Sequence, residues 1–214
     1  MNIISLIKKD FLLMKRYLFL TVAFMFGVPL LLLWKAPEAI GLGGFMVTAF
    51  MTFVTCEQQL SVFYVKYPKA LALLFATPYK RSEYVIARYA FFSLLFIVAL
   101  ALYNAVYLFS RARLVSVQGA LSAYLLWSVF LGVYLPLQFK LGYEKMKYAM
   151  MALILFPPIV LPLIAPYVRN LAPYTAFTIV LSQSAWLLLF VFASTIITAV
   201  SIAISVQILN NKEL

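Results

Sequence analysis

Histidine is absent from the 214-residue sequence, cysteine occurs once, and only 6 acidic residues stand against 17 basic ones. Without histidine there is no His-ligated metal site, no haem ligand and no Ser–His or Cys–His nucleophilic pair. A single Cys56 cannot close an internal disulfide or build a thiolate cluster. Its place inside an apolar run makes it a small buried hydrophobe. The 7 glycines form neither a GxxxxGK nor a GxGxxG pattern, which leaves no nucleotide-binding loop. Charge as a whole is scarce. Charged residues make up 11% of the chain, hydrophobic residues 66%, and the mean hydropathy is +1.03, whereas ordinary globular domains are about a quarter charged. Such a chain has too little polar surface to cover a soluble domain. A soluble enzyme, a disordered tail and a disulfide scaffold are excluded, and an integral membrane protein remains.

What is present is a series of long apolar runs. Six approach the roughly 20 helical residues that cross a hydrocarbon core. They are Leu18 to Trp34, Ile40 to Cys56 with a resumption at Leu60 to Val65, Tyr89 to Ser110, Ala120 to Phe139, Tyr148 to Val168, and Ser182 to Leu209. The runs are continuous, not alternating, which excludes a β-barrel. The first is too long at its basic flank, and lacks the small-residue site, for a cleaved signal peptide. The net charge of +11 would suggest nucleic acid in a soluble protein. Here the charges sit in short gaps between apolar runs and read as topogenic, so no nucleic-acid partner is expected. With the N-terminus inside, thirteen Lys and Arg fall on inner segments and four on outer ones. The positive-inside rule then gives six spans with both termini cytoplasmic. The expected fold is an all-α integral membrane protein, a single transmembrane domain over residues 1–214 in an inner membrane.

Residues 2–16 stand apart. Ile3, Ile7, Phe11 and Met14 share one side at helical spacing, while Lys8, Lys9, Lys15 and Arg16 fall largely elsewhere, as in an amphipathic helix lying along the inner interface. The inner segment 66–88 is the longest gap. Ala70 to Ala76 is a short apolar stretch between Pro68, placed to start a helix, and Thr77-Pro78, placed to end one. Leu71, Leu74 and Phe75 share a face. Seven residues cannot cross a membrane, so a short helix at the inner surface is expected, with Lys69, Tyr79, Lys80 and Arg81 around it. Ser82 is expected to cap the third span, with Glu83 in its first turn.

These residues carry a resemblance. A basic helix at Leu6 to Phe11, two spans, then Leu73 to Tyr89 with Pro78, Arg81, Val85, Arg88 and Tyr89 in place, resemble the compact six-span permease subunits of type-2 ABC exporters. Thr77 and Lys80 depart from the usual Leu and small hydroxyl residue. The resemblance implies a coupling helix near Pro68 to Thr77 that docks a separate cytosolic ATPase, with the helix at 2–16 flanking it. It implies a second permease copy, identical or paralogous, and ATP and Mg on the ATPase with no cofactor on this chain. Subunits of this group are similar to exporters of amphipathic or antimicrobial peptides, and such a chain would be bacterial and not itself an enzyme.

Polar residues within the spans complete the reading, because intramembrane charge defaults to function. Glu57 is the acid well inside a span if the second run continues past Cys56, with Gln58 beside it, facing a cavity or a dimer seam. Asn104 and Gln138 are weaker cavity candidates that also suit interhelical hydrogen bonds. Pro157, Pro158, Pro162 and Pro166 predict a broken fifth span. Thr195, Ala199, Ala203, Ser201 and Ser205 predict close packing of the last span. Among the aromatics, Tyr17, Tyr67, Tyr84, Tyr89, Tyr148 and Trp34 read as interface belts, and Phe24, Phe45, Phe50, Phe53 and Phe63 fit an apolar path or lipid contact. Two other functions stay open: a substrate-capture subunit of a vitamin or micronutrient importer, and an intramembrane enzyme. The first span lacks the small-residue face of the former, and no paired acids or nucleophile–base constellation supports the latter.

Overall fold

A computed structural model describes residues 3–35, 41–67, 69–76, 80–110, 115–146, 148–151 and 183–211. Among these the structure is helical and no strand occurs. The helices are α1 (Ile3–Met14), α2 (Leu18–Lys35), α3 (Leu42–Lys66), α4 (Lys69–Ala76), α5 (Arg81–Ser110), α6 (Val117–Leu141) and α7 (Gln183–Asn210). A short 3-10 turn, Lys15–Tyr17, joins α1 to α2. Residues 143–146 and 148–151 are also helical. The expected fifth span and its prolines lie almost wholly outside the described residues.

Four described helices are long and apolar enough to cross a membrane: Leu18–Lys35, Arg81–Leu108, Val117–Leu141 and Trp186–Asn210. Helix α3 has the length, since 25 residues rise about 37 Å, but Glu57, Gln58 and Gln59 dilute its apolarity. The two apolar runs either side of that triad form one continuous helix. In an apolar surrounding the helix satisfies its own backbone, so a polar side chain does not break it.

Two sequence expectations need correction at the helix starts. Helix α5 begins at Arg81, eight residues before the apolar run. Its cap is not Ser82, which lies inside the helix. The Lys80 N–H donates to Glu83 Oε2 at 3.4 Å, and the Glu83 N–H donates to the Lys80 carbonyl at 3.0 Å. This is the back-reaching half of a capping box, performed by Glu83. The buried stripe of α1 is Leu6, Asp10 and Met14; of the expected face Ile3, Ile7, Phe11 and Met14, only Met14 lies in it. The helix therefore packs into the bundle through a stripe with an acid at its middle, and Ile7 and Phe11 lie at its margin.

The interior is aromatic. The Phe53 ring lies 4.8 to 5.6 Å from those of Phe92, Trp127, Phe130 and Tyr134. Phe45 and Phe53 are core residues, so neither lines an apolar path. Tyr84 and Tyr89 are buried and belong to no interface belt, whereas Trp34, Tyr67 and Tyr148 are exposed. At one end of the bundle the Tyr103 hydroxyl donates to the Gly41 carbonyl at 3.0 Å. Asn104 Oδ1 accepts from the Val115 N–H at 3.1 Å, so Asn104 fixes the segment leading into α6.

Helices α6 and α7 pack closely, with Ser201 and Ser205 buried as expected, whereas Thr195, Ala199 and Ala203, expected on a packed face too, are exposed. Ser201 Oγ donates to the Gly132 carbonyl at 2.8 Å, and the Tyr89 hydroxyl bonds both Ser201 and Ser205. A Cβ at Gly132 would stand 3.3 Å from Ile197 Cγ2. Gly132→Leu is therefore expected to cost about 1–3 kcal/mol by overpacking, read as a lower unfolding midpoint in mixed micelles. An unchanged midpoint would mean that α7 moves aside without cost.

Candidate functional site: a buried ionic cluster

At the opposite, basic end of the bundle α1, α3, α5 and α6 converge on Arg88, which is fully buried. Its Nη1 donates to Asp10 Oδ2 on α1 at 3.2 Å, and its Nη2 to Glu57 Oε2 on α3 at 3.4 Å. Gln138 Nε2 on α6 donates to Glu57 Oε1. The guanidinium carbon lies 5.4 Å and 5.7 Å from the ring centroids of Phe92 and Tyr143, within cation–π range. One buried guanidinium thus spans two carboxylates from different helices, a geometry for which the planar fork of Arg is suited and Lys is not.

Charge balance requires a second cation, and Lys9 supplies it. Its Nζ stands 3.1 Å from Asp10 Oδ1 without hydrogen-bond alignment, so that contact is coulombic. The same Nζ donates to the Tyr64 hydroxyl at 3.0 Å and lies 5.2 Å from the centroid of the Tyr84 ring. The Tyr84 and Tyr143 hydroxyls bond at 2.8 Å. Burial pushes the Tyr143 phenol above the usual tyrosine range, so it stays neutral at physiological pH. Asp10, Glu57, Arg88 and Lys9 together carry no net charge, which is the condition for holding ions away from water. Among the described residues no group of His, Cys, Asp and Glu suits a metal ion.

Glu57 and Gln58 also border a cavity of about 290 Å³ between α3, Tyr134 and Met150–Met151. Gln138 is not among its walls; it makes the interhelical bond to Glu57. Around α4, Lys69 and Lys80 are exposed, while Leu74 packs inward against the core. Among the described side chains of α4, Leu73 is the large apolar one turned outward, 68% exposed. Arg81 is not a loose surface charge. Its Nη1 donates to the Leu209 and Asn210 carbonyls at 2.7 and 3.0 Å, a cation on the last carbonyls of α7. Pro68, Thr77, Pro78 and Tyr79, and the side chains of Leu71 and Phe75, lie outside the described residues.

Sequence reasoning missed Asp10 as a site residue and took Arg88 for a flanking topogenic charge. Removing Arg88 from the inner tally leaves its sense unchanged. Asp10 was findable, because it is the acid of α1 and has an apolar residue four positions to either side, Leu6 and Met14.

The described residues thus form a helical bundle with a basic end, a short helix between two long ones and a neutral ionic cluster behind it. The chain belongs to the ABC-2 family of transporter proteins, whose family model matches residues 5–210. It is therefore a multi-pass membrane component of an ABC transport system, a class that works with an ABC ATPase. No curated protein and no solved structure matches the chain.

Proposed function

We propose that the chain is the transmembrane subunit of an ATP-driven exporter that moves an amphipathic peptide or another amphiphile outward across a bacterial inner membrane. The observation that carries the reading is α4. It is an eight-residue helix too short to cross a bilayer, tied by short links to α3 and α5, with Leu73 turned outward and Lys69 and Lys80 beside it. Such a helix suits docking of a soluble ATPase that binds ATP and Mg. Two permease copies would pair. ATPase closure would push on α4, and the push would enter α3 and α5 directly and α1 through Arg88. The spans would tilt and open the cavity between the copies outward. The positive-inside count supports a cytoplasmic side for this basic end, and scarcity of charge in the walls suits an amphiphile with an apolar face.

The test is co-purification from the native membrane in mild detergent, with the partners identified by mass spectrometry. A soluble ATPase at equal stoichiometry is the expected result. A second, larger membrane protein together with ATPases would replace this reading with substrate capture for an importer. A chain that runs without an ATPase at every detergent strength would overturn both.

A further inference from the structure

The 290 Å³ cavity is a groove with a direction. Its long wall is the inner half of α3, from Val54 to Lys66, and the 12 intervening steps rise about 18 Å. Val54, Val62 and Val65 face Met150 and Met151 across it. Glu57 and Tyr134 form part of the floor, but the Glu57 oxygens are held by Arg88 and Gln138. The acid is therefore spent within the protein and adds no free negative charge to the groove. The charge at the end of the groove is Lys66. A second, more open cavity of about 640 Å³ adjoins there and shares Lys66, adding Lys69, Phe63, Tyr67, Ala70 and Leu73. Lys66 and Lys69 are both exposed, and no acidic residue lines this mouth.

An apolar trough that ends on two lysines at the C-terminal end of α3 is complementary to one kind of molecule. We propose that it is a binding site for an anionic phospholipid of the adjacent leaflet, with one acyl chain along Val54, Val62, Val65 and the two methionines, and the phosphate between Lys66 and Lys69. Lysine stems lie along apolar surface while their ammonium groups reach the headgroup level, and juxtamembrane lysines gain from anionic lipid. The methionines suit a flexible chain because thioether side chains adapt to irregular contents. A bound lipid would join the wall that holds Glu57 to the link that carries α4. The site needs the membrane placement alone and stands whether the transporter exports or imports.

The test uses the full chain in nanodiscs of phosphatidylcholine containing a minor fraction of phosphatidylglycerol, with retained lipid counted by native mass spectrometry. One phosphatidylglycerol per chain should be retained about thirtyfold over phosphatidylcholine, the combined effect of two juxtamembrane lysines. Lys66→Gln with Lys69→Gln should abolish that preference. Val62→Trp, at a half-exposed position, should fill the trough and also abolish it with both lysines intact. Lys140→Gln, another exposed lysine, should leave it unchanged. An undiminished preference in the double lysine variant would overturn the site. Equal displacement by glycerol phosphate would mean that the trough holds no acyl chain, and displacement by an anionic amphipathic peptide would assign the trough to cargo. Either of these would overturn the lipid assignment.

Discussion

Arg88→Met is expected to destabilise the protein by about 3–5 kcal/mol, the cost of leaving a buried charge without its partner. Arg88 is fully buried and is the group that Asp10 Oδ2 and Glu57 Oε2 share. Its removal leaves two carboxylates of like charge in the interior, with Lys9 close to one of them alone. The same rule makes a second, opposite expectation. Replacing the three buried members, Asp10→Asn with Glu57→Gln and Arg88→Met, should recover most of the loss, because the one charge left, Lys9, has a side chain 28% exposed and can reach water. Reversible unfolding of both variants in mixed micelles decides the matter. A single variant within about 1 kcal/mol of the parent, the range of exposed ion pairs, would show that the cluster does not hold α1 to the bundle. Site-specific labels on α1 add a structural reading: in Arg88→Met the helix should detach, while in the triple variant it should stay docked through Leu6 and Met14.

Leu73→Glu on α4 is expected to cut ATPase recovered with the membrane subunit by about tenfold or more, the effect of losing a central apolar contact. Leu73 is 68% exposed, so the substitution should leave the unfolding midpoint of the isolated subunit in place. Lys80→Glu should act in the same direction with a smaller effect. Arg81→Glu is the contrasting case. Arg81 donates to the terminal carbonyls of α7, and reversing it puts a carboxylate against them. It should lower stability as well as coupling, and a variant that reverses Lys80 and Arg81 together would mix the two effects. Normal ATPase recovery with Leu73→Glu would remove α4 from the docking surface.

The two predictions draw on different levels of information. That the chain lives in a membrane follows from composition, since 66% hydrophobic residues cannot be enclosed by 11% charged ones. The long apolar helices and the short helix after the second run were legible for the same reason. Hydrophobic length decides what crosses a bilayer, and Pro68 with Thr77-Pro78 bounds what lies between. The basic residues at the helix ends were legible as a pattern of sign. Of the small residues along the last span, Ser201 and Ser205 lie in its packed face while Thr195, Ala199 and Ala203 are exposed, so the sequence marked close packing but not which helix would supply it.

What the tertiary structure alone decided is which charges are paired. Asp10, Glu57 and Arg88 are separated by 31 to 78 positions, and no local rule joins them. Sequence periodicity put the apolar face of α1 on Ile3, Ile7, Phe11 and Met14, which is right for Met14 but rotated away from Asp10, since hydrophobicity scales count an acid as outward-facing. The fold turns that acid inward because a guanidinium from α5 waits there. Arg88 read as a topogenic charge because it flanks an apolar run, yet α5 starts two turns earlier and carries it inside. Arg81 and Lys80, adjacent and alike in charge, part company for the same reason: the end of α7 lies within reach of one and not of the other. Burial of a charge is a property of its partners, and partners are set by packing.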